Sequence, residues 1–151
     1  MNKQVLNLEE LYPIIEEVIS SGGEFRLYPR GISMLPLLRQ GSDSVVLVSL
    51  DTVAKNDMIL YRRNDGQFVL HRVIKIEGDE YVMCGDNQTF LEYGIKRENL
   101  LAKVNAIYRD EDRIPLDNEE YLKYVKALPR SRRKRKRREL FTRIKRKLFK
   151  K

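Results

Sequence analysis

One serine of the chain lies in a segment that cannot be the interior of a regular helix or strand. Ser33 stands in residues 28–36, where Pro29, Gly31 and Pro36 surround it. Proline removes a backbone donor and glycine favours turns, so we expect an irregular turn here. A serine on such a turn can present its hydroxyl outward, with its own backbone N–H available as an oxyanion donor. An ordinary loop serine that caps a turn fits the same pattern.

Two further segments carry residues of a type that takes part in catalysis. His71, the single histidine of the chain, lies within residues 69–73, a predicted strand. Asp86 lies in Gly-Asp-Asn, residues 85–87, at the end of the next predicted strand. A strand histidine is most often a packing or surface residue, and Gly-Asp-Asn is a common turn. Neither segment indicates a chemistry when it is taken alone.

The N-terminal part of the chain predicts a helix that ends before the candidate serine. Asn7 is a suitable N-cap, and Glu10 three residues later completes a capping box. Pro13 predicts either a kink or a second helix start after a short first turn. Residues 20–23, two serines and two glycines, end the helix. The apolar residues of the helix share an arc of about 120°; they are Leu8, Leu11, Tyr12, Ile15, Val18 and Ile19.

From residue 24 onward, short β-type runs alternate with turn residues. Strands are predicted over residues 25–28, 44–48, 58–62, 68–76, 80–83 and 101–108. Asn64-Asp65-Gly66 predicts a tight hairpin turn, because glycine tolerates a positive φ, and residues 77–79 predict a second one. A short helix is predicted over residues 119–128, before Pro129. The expected fold is therefore mainly β, with an N-terminal helix and a basic C-terminal helical tail.

Taken in order, the three segments resemble the motifs of a known group, the type I signal peptidases and SOS-repressor-like self-cleaving serine peptidases (S24/S26). The box from Gly31 to Pro36, with Ser33 and Met34 inside it, is similar to their nucleophile motif. Residues 57–62 are similar to the strand that follows. Residues 71–73 and 85–87 resemble motifs of the endoplasmic-reticulum and archaeal branch, which uses histidine where the bacterial branch uses a lysine base. The resemblance covers roughly residues 25–104.

The resemblance implies a signal peptidase/SOS-repressor C-terminal-like β fold with a Ser–His site. Ser33 would be the nucleophile and its backbone N–H the oxyanion donor, His71 the general base, and Asp86 the group that orients or electrostatically supports the histidine. A serine hydroxyl is barely ionised at neutral pH and needs a neighbouring base, and a histidine with a pKa near ~6.5 is suited to that task. An apolar strand beside the serine is expected to pair an extended peptide, in a groove lined by Gly31, Ile32, Met34 and Pro36.

Several features depart from the pattern of the group. Gly41-Ser42-Asp43 has one residue more than the usual Gly-Asp, and Asn56 replaces the usual glycine before Asp57. Most members of the histidine branch have a further acidic residue after Gly-Asp-Asn, for which Glu92 is the nearest candidate. We expect no transmembrane anchor, because the longest mostly apolar run, residues 45–50, is far shorter than the ~18–20 residues that span a bilayer.

The composition excludes several kinds of site. A single cysteine, Cys84, excludes an internal disulfide framework and a multi-cysteine zinc site. With a single histidine as well, we expect neither a metal nor another cofactor. The first residues and the acidic segment after them fit neither a secretory signal nor a myristoylation site. We therefore expect a cytoplasmic protein whose membrane contact, if it has one, is peripheral and at the inner face.

The positive charge of the chain is concentrated at its C-terminus. Residues 130–151 hold 14 of the 30 Lys+Arg and one Glu, a net charge of +13, whereas the rest of the chain has a net charge of −5. Residues 130–138 predict a solvated, disordered charge run. If the next segment is helical, four apolar residues share an arc of about 100°: Leu140, Phe141, Ile144 and Leu148.

A basic amphipathic segment of this kind favours an anionic membrane surface as the partner. The expected contacts are Arg132, Arg133, Lys134, Arg135, Phe141, Ile144 and Leu148. Nucleic acid would accept the same cations by counterion release. It is the less favoured partner, because the body shows neither a recognition helix nor a basic face with aromatic residues.

These observations divide the chain into four predicted parts. They are an N-terminal helix (1–23), a catalytic β domain (24–116), a short helix or linker (117–129) and a basic tail (130–151). The favoured function is a signal-peptidase-like serine endopeptidase that cleaves an extended peptide or a precursor protein. A non-catalytic peptide-binding module on the same fold stays open. A self-cleaving regulator also stays open but ranks last, because no helix-turn-helix domain fits before the β domain.

Overall fold

The N-terminal helix begins as the sequence predicts. A computed structural model describes residues 7–149, and in it α1 spans Leu8–Ser20. Asn7 Oδ1 accepts the backbone N–H of Glu10 at 2.8 Å, and the Glu10 carboxylate accepts that of Asn7 at 3.2 Å, so the capping box is formed. The helix runs through Pro13 without a second start. Its buried face is formed by Ile15 and Ile19.

Among residues 7–149, eight strands form one antiparallel sheet. They are β1 (Phe25–Leu27), β2 (Asp43–Val48), β3 (Met58–Arg62), β4 (Phe68–Glu77), β5 (Glu80–Cys84), β6 (Glu92–Lys96), β7 (Leu100–Arg109) and β8 (Asp112–Pro115). The order across the sheet is β1-β2-β7-β3-β4-β5-β6, and β8 pairs with β7. The predicted fold class, mainly β with a helix at each end, is confirmed.

Six strands lie within one residue of their predicted ends, whereas β6 and β8 were not predicted. Each of these two strands has too few apolar residues to show an alternating pattern. On β6 only Ile95 is buried, and Gly94 has φ 76°. The strand β8 contains two charged residues and ends at Pro115.

The sheet carries apolar side chains on both faces. One core, under α1, includes Met58, Leu60 and Leu70. The other core includes Ile59, Tyr61, Val69 and Val73. Successive strand residues point to opposite faces, so His71 lies on the face of the second core and Arg72 on the face of the first.

The C-terminal helix α2 is continuous over Glu119–Leu148, about 45 Å at 1.5 Å per residue. The predicted end before Pro129 and the predicted disorder of residues 130–138 are wrong, because the helix contacts the body on both sides of the proline. Before it, α2 buries Tyr121, Val125 and Leu128. Beyond it, Arg135 Nη1 donates to the Asp86 carbonyl at 2.7 Å, and Thr89 Oγ1 donates to Glu139 at 2.8 Å. Neither helix, within the described part of the chain, is both long and apolar enough to cross a membrane.

Candidate active site

Ser33 lies in the irregular segment between β1 and β2. Gly31 adopts φ 85°, a left-handed conformation that favours glycine, and its N–H donates to Gln40 Oε1 at 2.9 Å. On the other side of the serine, Met34 and Leu38 are buried and anchor the segment to the core. Ser33 itself is half-buried. The segment therefore holds the serine at the surface of a fixed core.

The Gly-Asp-Asn turn, residues 85–87, holds this serine segment in place. The Asn87 N–H donates to the Ser33 carbonyl at 2.8 Å, and the Asn87 side-chain amide donates to the Ile32 carbonyl at 3.0 Å. A Cβ atom at Gly85 would lie 2.6 Å from the Ser33 carbonyl oxygen, so only glycine permits this approach. Two of the motifs found in the sequence thus form one structural unit.

Hydrogen bonds determine the tautomer of His71. Its Nδ1 lies 3.2 Å from the Tyr61 hydroxyl, which donates to Glu92 Oε2 at 2.9 Å. Arg63 donates to the two Glu92 oxygens at 2.9 and 2.8 Å, and an ionised carboxylate only accepts. Since Tyr61 has one proton and gives it to Glu92, its oxygen must accept the Nδ1–H of His71. The Nε2 atom is then unprotonated, as a general base requires.

Burial, together with the charge of Arg63, favours a neutral imidazole at His71. Burial, and after it the charge of Arg63, lowers the pKa of His71 to about 4. Burial alone would raise the pKa of Glu92, but the hydrogen bonds from Arg63 and Tyr61 outweigh it and lower that pKa. Burial and the charge of Glu92 raise the pKa of Tyr61, which keeps its proton. At neutral pH the row is therefore carboxylate, phenol and neutral imidazole.

The Asp86 carboxylate, which was predicted to orient or support His71, is hydrogen-bonded to other side chains. It accepts two hydrogen bonds of 2.8 Å from Arg72 and one of 2.8 Å from the Tyr124 hydroxyl. Arg72 points to the face of β4 opposite His71, so the hydrogen bonds give the orienting position to Tyr61 and not to Asp86. Its charge still raises the pKa of His71, though less than the charge of Glu92 does.

Ser33 and His71 line one cavity of about 410 Å³, whose walls are α1, residues 27–31 and residues 67–71. No hydrogen bond joins the two side chains. Within residues 7–149, the Ser33 hydroxyl, the Ser33 N–H and the His71 Nε2 have no hydrogen-bond partner.

The four residues predicted to line a groove lie in three different places. Gly31 and Met34 line the cavity. Ile32 is 65% exposed and lies outside it. Pro36 lines a separate depression, beside Tyr121 of α2. The predicted groove is thus split, because the segment turns sharply at the serine.

Two unpaired strand edges border the cavity. Residues 68–72 of β4 pair with β3, but pairing with β5 begins only at Arg72. The second edge of residues 68–71 has no strand partner in the described part of the chain. At the opposite wall, β1 is the outermost strand and leads into residues 28–31. An extended peptide can pair with such edges through its backbone.

The chain is similar to LexA repressors. It is 28% identical over 102 residues to the LexA repressor of Lactiplantibacillus plantarum, an alignment that covers 67% of this chain and 48% of the repressor. The LexA repressor of Leuconostoc citreum is 26% identical over 102 residues, with the same coverage. The chain thus spans about half the length of the repressors it matches. No protein-family model matches it. The similarity supports a relationship to the LexA, or S24, peptidase-like superfamily and does not extend to the signal-peptidase branch.

The residues of α2 predicted to contact a polyanion fall on two sides of the helix. Arg135 faces the body through its bond to Asp86, and Arg132 is half-buried. The other five are exposed: Arg133, Lys134, Phe141, Ile144 and Leu148. Of the seven predicted contact residues, these five are therefore the ones exposed to an external partner.

Tyr61 and Arg63 are residues of the site that the sequence motifs do not indicate. The hairpin turn at residues 64–66 contains a signal for Tyr61, because it sets Tyr61 opposite Val69. Period-two alternation then places Tyr61 and His71 on the same face. Glu92 was a candidate by resemblance alone, because it begins the unpredicted strand β6 and has no pairing signal of its own.

Proposed function

We propose that this chain is a serine endopeptidase of the LexA-like superfamily, with Ser33 as nucleophile and His71 as general base. The observation that carries the proposal is the cavity of about 410 Å³ that both side chains line. The assigned tautomer of His71 and the open Ser33 N–H support the same roles. The narrower assignment to the signal peptidases has no support from the comparisons.

The reaction moves one proton at each step. As Ser33 Oγ attacks the peptide carbonyl carbon, its proton passes to His71 Nε2 and the carbonyl electrons move onto oxygen. The Ser33 N–H stabilises this oxyanion, and one such donor contributes roughly 3–4 kcal/mol in comparable sites. The imidazolium then protonates the leaving amine as the C–N bond breaks. Water repeats the sequence on the acyl ester and releases Ser33.

Glu92 assists through Tyr61 without losing its charge. When His71 accepts the serine proton it becomes a cation, which the Glu92 carboxylate stabilises through the Tyr61 hydroxyl. The substrate is an extended peptide, because the free edges of β1 and residues 68–71 offer backbone groups to such a chain. A precursor protein fits if its cleavage segment is unfolded.

Covalent labelling tests the catalytic proposal without a known substrate. A fluorophosphonate reacts with an activated serine, so we expect labelling of the wild type at Ser33, mapped by mass spectrometry. Ser33→Ala and His71→Ala should abolish labelling, whereas Ser49→Ala, which removes an exposed serine, should leave it unchanged. No labelling of the wild type, together with tight peptide binding, would instead identify a non-catalytic peptide-binding module.

A self-cleaving regulator is the second candidate, and the comparisons favour it over the signal-peptidase assignment. The observation behind it is the similarity to two LexA repressors. It would use the same two residues on a peptide bond of its own chain. Incubation of the purified protein distinguishes the two. Ser33-dependent fragments that form at a rate independent of protein concentration would establish self-cleavage, and a chain that stays intact while it cleaves added peptides would exclude it.

We propose an anionic membrane surface as the partner of the exposed end of α2. Phe141, Ile144 and Leu148 are 69%, 46% and 73% exposed, and Ile144 lies about 140° around the helix from Glu139, which contacts the body. We therefore expect the wild type to bind vesicles of phosphatidylglycerol and an Ile144→Ser/Leu148→Ser variant to lose this binding. Nucleic acid is the alternative partner, and it is consistent with the similarity to repressors. If the wild type and the variant bind vesicles equally, the membrane proposal fails and nucleic acid becomes the favoured partner.

A further inference from the structure

The catalytic cavity does not end at His71. A second depression of about 300 Å³ shares Arg63, His71 and Gln88 with it and reaches Phe90 and Glu139. A third depression, of about 730 Å³, shares Thr89, Phe90 and Glu139 with the second and lies against α2. The three depressions are therefore neighbours, arranged in series between Ser33 and the basic helix.

The far end of this series combines aromatic and cationic side chains; we call it the α2 groove. Phe90 and Tyr93, 80% and 57% exposed, form one wall. The opposite wall is formed by Arg133, Lys136, Arg137, Leu140 and Arg143. Glu139 is the single carboxylate of the lining, and its oxygen accepts the Thr89 hydroxyl at 2.8 Å. The sequence shows no basic face with aromatic residues on the body, because this face forms only where the helix meets the loop before β6.

We propose that the α2 groove binds an acidic segment of the peptide substrate, on one side of the bond that is cut. The inference rests on the proposed function and adds a substrate class to it. Four cations facing one engaged carboxylate are complementary to Asp and Glu side chains, and the exposed aromatic rings accept apolar residues between them. Because the groove neighbours the cavity through shared lining residues, an extended peptide bound at Ser33 can also reach it.

A peptide fits this series of depressions better than the other polyanions do. A membrane surface is flat and cannot follow a series of depressions that leads to His71. A nucleic acid has no peptide bond to present to Ser33. The exposed apolar side chains Phe141, Ile144 and Leu148 remain available to a membrane, because they lie outside the groove lining.

Binding to the full-length Ser33→Ala protein tests the groove without turnover. The probes are fluorescein-labelled peptides that contain an extended apolar segment. A run of Asp and Glu, or of Asn and Gln in the amide counterpart, is attached to this segment on its N-terminal side in one orientation and on its C-terminal side in the other. By fluorescence anisotropy at low salt, we expect the acidic peptide of one orientation to bind about 10-fold more tightly than its amide counterpart. Arg133→Glu/Arg137→Glu should remove this preference. Lys126→Glu/Arg130→Glu, a matched pair on α2 outside the groove, should keep it.

Three results would overturn the inference. They are equal binding of the acidic and amide peptides, equal losses in the two charge-reversed variants, and groove-dependent binding of an oligonucleotide with no groove-dependent binding of the acidic peptide. Failure of the proposed function gives a different result. In that case the acidic peptide binds through the groove, but the wild-type protein, which retains Ser33, neither cleaves peptides nor reacts with a fluorophosphonate.

Discussion

Replacing Glu92 by leucine should reverse the tautomer of His71. Leucine has no acceptor, so the Tyr61 hydroxyl loses the carboxylate to which it donates. The Tyr61 proton would then point to His71 Nδ1, 3.2 Å away. The imidazole is left with its proton on Nε2, where it cannot accept the proton of Ser33.

The size of the effect follows from the hydrogen bonds involved. Each hydrogen bond is worth about 1 kcal/mol, so the wild type favours one tautomer by roughly that amount and Glu92→Leu favours the other. The competent tautomer then falls from about 85% of the imidazole to about 15%, which makes Ser33 roughly 5-fold less reactive. Tyr61→Phe removes both biases, so about half of the imidazole stays competent and the loss is only about two-fold. The double variant should behave like Tyr61→Phe and thus be more active than Glu92→Leu alone.

Two measurements check this order. The first is the second-order rate of fluorophosphonate labelling of Ser33. The second is ¹⁵N NMR of the imidazole, which needs no assignment because the chain has one histidine. A double variant that reacts no faster than Glu92→Leu, or an unchanged ¹⁵N spectrum in Glu92→Leu, would refute the tautomer argument.

Three further predictions concern the surroundings of the site. Gly85→Ala places a Cβ 2.6 Å from the Ser33 carbonyl, and the displaced serine should lower the labelling rate about 100-fold with little change in the circular dichroism spectrum. Asp86→Asn leaves the Arg72 charge buried without its partner, so the free energy of unfolding in urea should fall by about 3 kcal/mol, and the loss of the Asp86 charge should move the pKa of His71 further down. The pKa of His71 is about 4 in the folded chain and near 6.5 when unfolded; its contribution to stability is full above pH ~6.5 and is lost, by about 3 kcal/mol, as the pH falls to ~4. That part of the loss should be missing in His71→Gln.

The motifs of the sequence predict the site only where local chemistry determines the structure. Asn7 and Glu10 determine a helix start between themselves, and Gly66 determines a hairpin, so both were predictable. Ser33 and the Gly-Asp-Asn turn were identified separately, but their contact depends on the close approach at Gly85. No local pattern reveals such a contact between distant segments.

The departures from the predictions have tertiary causes. Pro129 predicts a helix end from its missing N–H, but buried residues before it and Arg135 after it hold α2 in one piece. The resemblance implies that Asp86 orients or electrostatically supports His71, and its charge does raise the pKa of His71. The alternation of β4 turns Arg72, the partner of Asp86, to the other face, and this leaves the position beside His71 to Tyr61.

The position of α1 bears on whose peptide bond is cut. Leu8 and Leu11 line the cavity from a helix whose first turn is held by the Asn7–Glu10 capping box. A helix satisfies its backbone hydrogen bonds internally, so residues 8–20 cannot pair with the free edges of β1 and β4 while they remain helical. Cleavage there would first require the helix to unwind, and loss of the cap alone costs about 1 kcal/mol. A separate extended peptide needs no such step. Among the described residues, α1 is therefore a wall of the cavity and not its substrate.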